Sequence, residues 1–188
     1  MYEGVDTIVL DEELAYQDVL PVQWTPLAEA PDAILAGSLD DRNTKTLQVC
    51  AAIEEHGAVD KQDEKSLHAA DLQRLEVKMN LVIDLLGQIL AANAPRPRPT
   101  SIRFNAHGAI WRAVQPLPAV GQQGLLDIHL RDCLAQPLTL IGRITAIDGA
   151  QVKARFSPQG EVASDLIEKL AFRRHRRQVA GVRQPRRA

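Results

Sequence analysis

Cations are missing from the first 41 residues, which carry ten acids (Glu3, Asp6, Asp11, Glu12, Glu13, Asp18, Glu29, Asp32, Asp40 and Asp41) and no Lys or Arg. Aromatic residues make up only 4% of the chain, so Leu, Val, Ile and Ala must build its interior. Two cysteines, Cys50 and Cys133, are too few and too far apart for a disulfide framework or a zinc site, and are read as buried free thiols. No apolar run reaches the roughly eighteen residues of a membrane helix. Met1-Tyr2-Glu3 does not open a basic segment followed by an apolar one, so a cytoplasmic protein without membrane insertion is expected. What is present suffices for a core: 188 residues, 45% hydrophobic and 24% charged, fit one domain or two small ones. The net charge of −2 conceals a gradient, because the last 16 residues hold seven arginines and no acid. Such polarity steers charged partners or draws one end of a molecule to the opposite end of its neighbour.

Local patterns divide the chain. Thr7-Ile8-Val9-Leu10 and Val19-Leu20-Pro21-Val22-Gln23-Trp24 read as strands, the second with a proline suited to an edge or a strand start. From Ser38, a candidate N-cap, Leu47, Cys50, Ala51 and Ile53 predict a helix that Gly57 can end. Asp60 is a second cap candidate, for a longer helix from about Lys61 to Asn93 that stops at Pro95-Arg96-Pro97-Arg98-Pro99. On it Leu72, Met79 and Leu86 occupy a, and Leu75, Val82 and Ile89 occupy d, of a heptad repeat. Leu or Met at a with β-branched Val82 and Ile89 at d shifts parallel coiled coils away from dimers. Ile83, Leu85 and Leu90 widen the apolar face, so a homotetramer is expected. Burying six such side chains contributes roughly 9–18 kcal/mol gross per chain, before the entropy of association.

Beyond the prolines the period returns to two. Ile102 and Phe104 alternate with Arg103 and Asn105, Leu126, Ile128 and Leu130 with Asp127, His129 and Arg131, and Val152, Ala154 and Phe156 with Lys153 and Arg155. Asp148-Gly149 is a hairpin signal. Closely spaced short strands imply a small antiparallel barrel or sandwich. A last helix runs from about Ala163 to Val179, with Leu166, Ile167, Leu170 and Ala171 as its buried stripe.

Ser101-Ile102-Arg103-Phe104-Asn105-Ala106-His107-Gly108-Ala109-Ile110-Trp111 resembles the strand, loop and strand of a PilZ domain, and Leu20-Pro21-Val22-Gln23-Trp24 is similar to that family's first barrel strand. The resemblance implies an α+β fold: a six-stranded antiparallel PilZ-like barrel with a long helical coiled-coil insertion and a C-terminal helix. Residues 1–31 would hold the N-terminal segment and first barrel strand, 32–95 the oligomerising insertion, 96–180 the rest of the barrel with its helix, and 181–188 a basic tail. Typical members bind cyclic di-GMP with an Arg-x-x-x-Arg pair and an Asp/Asn-x-Ser-x-x-Gly loop. Here Asp11 and Ala15 fall near the arginine positions, Arg103 replaces Asp or Asn, Asn105 replaces Ser, and only Gly108 matches. Guanidinium groups suit a dianionic dinucleotide, and losing one charge-assisted contact typically costs about 1.5–3 kcal/mol. Strong cyclic di-GMP binding is therefore not expected. Arg96 and Arg98 remain as substitute ligand arginines in the alternative of a receptor with unconventional arginines.

Other chemistry is weakly signalled. The five histidines show no metal-ligand spacing, and there is no Gly-x-Ser-x-Gly elbow or phosphate loop, so neither metal, cofactor nor catalytic residues are expected. Asp127 and His129 read as solvent-facing positions of a half-buried strand. The arginine-rich end reads as a solvated, frayed helix end, and a pI of 6.2 argues against a nucleic-acid-binding oligomer, the second alternative. The expectation is a non-enzymatic adaptor that self-associates and meets a signalling or pilus-related protein, through outward-facing Arg103, Asn105 and Trp111 and the acidic N-terminus. The implied setting is bacterial cyclic di-GMP signalling, with motility, type IV pili or virulence as outputs.

Overall fold

The computed structural model describes residues 9–11, 13–56, 96–134 and 136–182, together with 75, 77–79, 81–83, 85–87 and 89. Alternation of period two closes into a barrel. Its strands are β3 (Tyr16–Pro26), β4 (Pro99–Phe104), β5 (Gly108–Arg112), β6 (Gln123–Ile128), β7 (Leu138–Asp148) and β8 (Gln151–Phe156), in the order β3-β4-β5-β8-β7-β6, antiparallel throughout. Ahead of it β1 (Val9–Leu10) and β2 (Glu13–Leu14) form a small separate hairpin. Alternate side chains fill the interior: Ile102, Phe104, Leu126, Ile128, Leu138, Leu140, Ile144 and Val152 are almost wholly buried. Pro21 sits inside β3 rather than at its start, at the point where the strand's ladder passes from β4 to β6. The barrel's stagger thus tolerates a residue with no N–H to donate.

Two helices cover the barrel. Helix α1 (Ala33–His56) begins five residues before Ser38, because the cap is Asp32, whose carboxylate accepts from Leu35 N at 2.7 Å. Ser38 Oγ donates to the Leu35 carbonyl from inside the helix. The inner face of α1 carries Leu39, Asn43, Thr46, Leu47 and Cys50. Buried Asn43 clamps the middle of this face to β7: its Nδ2 donates to Thr139 O at 2.7 Å, and its Oδ1 accepts from Thr139 N at 2.9 Å. Helix α2 (Glu161–Val182) buries Ala163, Ile167, Leu170 and Ala171 and packs against α1 and β3.

Between α1 and β4 the described residues from 75 to 89 are helical. Leu75, Met79, Val82, Leu86 and Ile89 are each about half exposed on the single chain, as are Val77, Leu81 and Leu85. Gly87 lies a little over a quarter turn round from Leu86 and meets Cys133, so the side turned to the barrel is distinct from the a/d stripe. Leu72, Leu90, Gly57, the Asp60 cap, both ends of the long helix, Thr7-Ile8 and the tail from Arg183 lie outside the described residues. No helix among the described residues is long and apolar enough to cross a membrane.

Candidate functional site

The turn between β4 and β5 is built around Asn105. Its Oδ1 accepts from His107 N at 2.9 Å and Gly108 N at 3.0 Å, and its own N–H donates to Gly108 O at 3.0 Å. The remaining amide, Nδ2, donates to Leu10 O at 2.9 Å and ties the N-terminal hairpin to the turn. Asn105 is consequently 2% exposed, not outward-facing as expected from the sequence. Trp111 departs in the same way: it points into the barrel at 3% exposure, its ring 5.9 Å from Trp24. Gly108 is required by close approach, since a Cβ there would lie 2.7 Å from Ala154 O.

The positions aligned with the arginine pair are also occupied by the fold. Asp11 takes a left-handed conformation (φ 51°), one that Asp tolerates better than most residues, and its carboxylate meets Lys153 Nζ at 2.6 Å. Ala15 is 3% exposed. Beside them Glu13 reaches His107 Nε2 at 3.1 Å. The acidic hairpin is therefore fastened to the very turn that holds Asn105 and Gly108.

The substitute arginines fare differently. Arg96 is largely buried, donating to the carbonyls of Arg131 (3.3 Å), Asp132 (2.9 Å) and Leu134 (2.8 Å) and to the Asp132 carboxylate (3.1 Å). It staples the loop after β6; Arg98 is exposed. Arg174 corrects the reading of the arginine-rich end as solvated: it lies against Asp18 at 3.0 Å and over the Tyr16 ring, 5.8 Å from its centroid. Burial, then the Asp18 carboxylate that accepts from Tyr16 Oη at 3.0 Å, raise the phenol's pKa well above its ordinary value. His129 is shifted the other way, its pKa lowered by burial and then by the charge of Arg96. Asp127 accepts from Thr139 Oγ1.

Register creates a cluster that the linear sequence did not reveal. On the outward face Arg103 stands opposite Ile110, which stands opposite Lys153; beside this row Gly108 opposes Arg155, which opposes Arg143. Arg112 continues the face on β5. The alternation flagged Lys153 and Arg155 as outward, but only the pairing of β7 with β8 and of β4 with β5 brings Arg143 and Arg103 beside them. Among the described residues no group of three or more His, Cys, Asp or Glu could hold a metal ion.

Comparison with known proteins bears on this architecture. A solved PilZ-domain structure from Xanthomonas campestris, described as tetrameric and self-assembled via a helical bundle, aligns over 93% of this chain and 95% of its own, with 23% identity and a TM-score of 0.68. The likeness concerns the fold. No curated protein matches the sequence. The family model for the atypical PilZ domain, described as a cyclic di-GMP receptor, matches residues 47–184, and with the closed six-stranded barrel this places the chain in the atypical PilZ domain family.

Proposed function

We propose that this chain is a non-enzymatic PilZ-type adaptor that assembles with itself as a tetramer and acts by protein–protein contact in cyclic di-GMP-related regulation of motility, type IV pili or virulence. The observation that carries the reading is the use of the clamp positions by the fold itself: Asp11 is paired with Lys153, Ala15 is buried, and Asn105 is hydrogen-bonded through both Oδ1 and Nδ2. A dinucleotide would find no free guanidinium pair there and would meet the hairpin's carboxylates instead. Self-association is supported by the exposed stripe of Leu75, Met79, Val82 and Leu86, an apolar surface of the kind that finds a partner. The tetramer described for the Xanthomonas campestris structure lends further support. Calorimetric titration of the full chain with cyclic di-GMP tests the adaptor role. Absence of tight, saturable heat is expected, and a tight isotherm overturns it.

A receptor with unconventional arginines is the second reading, favoured by the cluster of Arg103, Arg143, Lys153 and Arg155 and by the family's description as a receptor. It predicts a tight isotherm that disappears in the Arg143→Ala, Arg155→Ala double variant.

A further inference from the structure

Arg143 and Arg155 oppose each other directly across β7 and β8, and both are exposed. Like charges in that position destabilise a sheet. Among the described residues neither belongs to an ion pair, whereas Lys153, on the same outward face of β8, is met by the Asp11 carboxylate. The face therefore already accepts one acid, from the turn of the N-terminal hairpin, and leaves its neighbouring cations uncompensated. It also offers no aromatic ring on which a base could stack: the outward residues beside the cations are Ser101, Gly108, Ile110, Ala146 and Gln151, with Thr145 in the bulge of β7 and Asp148 at its end.

We propose that the outward face of β4, β5, β8 and β7, centred on Arg143, Lys153 and Arg155, docks an extended acidic segment of a partner protein, and that Asp11 of the chain's own hairpin competes for Lys153. This deepens the adaptor reading and rests on it for the partner being a protein. The dimensions agree. Three strand-to-strand steps span about 14 Å, which an extended peptide crosses in about five residues.

The test uses the intact full-length protein and a fluorescein-labelled decaglutamate peptide, followed by fluorescence anisotropy. Saturable binding that weakens with salt is expected. The Arg143→Ala, Arg155→Ala pair should lower affinity about tenfold, as loss of two exposed charge contacts implies. Asp11→Asn should raise affinity, and Arg186→Ala with Arg187→Ala, a control for the basic tail, should leave it unchanged. Circular dichroism melts confirm that the variants fold. Wild-type affinity in the double variant, no gain with Asp11→Asn, or loss of binding in the tail control overturns the proposal. So does cyclic di-GMP, rather than the peptide, saturating the face. Failed peptide binding by a protein of tetrameric mass that ignores the dinucleotide removes this surface and leaves the adaptor reading standing.

Discussion

Restoring the family's serine at position 105 should damage this protein. Asn105→Ser removes the Nδ2 donor, leaving the Leu10 carbonyl on a buried residue without its partner. The shorter side chain also cannot accept from both His107 N and Gly108 N as Oδ1 does now. A buried group left unsatisfied costs about 1–3 kcal/mol and a lost internal hydrogen bond about 1 kcal/mol, so the variant should be about 2–4 kcal/mol less stable. Urea denaturation measures this as a lower midpoint at unchanged slope. Hydrogen exchange adds a local signature, faster exchange at the His107 and Gly108 amides and in the N-terminal hairpin. A midpoint equal to wild type, or unchanged protection at these amides, would refute the argument that Asn105 holds the turn and the hairpin together. The consequence for function is direct. Rebuilding a nucleotide clamp by Asp11→Arg, Ala15→Arg, Arg103→Asp and Asn105→Ser should fail, because two of the four positions are buried and a third anchors the hairpin to Lys153.

Asn43→Ala should cost about 2–4 kcal/mol in chemical denaturation, since it strands both backbone groups of buried Thr139; a loss below about half that would deny α1 its clamp on β7. Gly108→Ala should lower stability by about 1–3 kcal/mol, because the new methyl overlaps the Ala154 carbonyl and backbone must shift. Tyr16 keeps its proton in the folded state beyond the pH at which the unfolded chain releases it, so its contribution is complete below about pH 10 and is lost as pH rises above that value. A stability titration in which Tyr16→Phe has the same alkaline limb as wild type would contradict this. His129 acts at the other end: its lowered pKa makes its contribution complete above about pH 6.5 and lost as pH falls through the folded value, a limb that His129→Gln should remove.

The barrel was legible because period-two alternation survives in β4, β6 and β8, and the C-terminal helix because Ile167, Leu170 and Ala171 repeat at helical spacing. The start of α1 was not, because its first turn is exposed, with Ile34 facing solvent, and its apolar period begins only at Leu39. The expected cap Ser38 was the first plausible residue before that period, while the true cap, Asp32, precedes the helix outside it. Trp111 looked like an outward recognition residue, yet its neighbours Ile110 and Arg112 take the outward positions of β5. By sequence, Asn105 and Ala15 stand at lost ligand positions. Their structural roles depend on Leu10, 95 residues from Asn105 in sequence, and on packing of the hairpin, neither of which spacing along the chain encodes. The basic face was hidden for the same reason, its cations lying on separate strands that only register brings together.

A chain whose motif positions hold its own hairpin in place, and whose central helix exposes apolar residues, is suited to act as a multimer presenting barrels to partners. Sedimentation equilibrium of the purified full-length protein tests that claim most directly. The account predicts about 83 kDa, four times the 20.7 kDa chain, falling to a single chain in the Val82→Asp, Leu86→Asp variant with its β-sheet signal retained. A wild-type mass of 20.7 kDa, or a mass unchanged by those two aspartates, would contradict it.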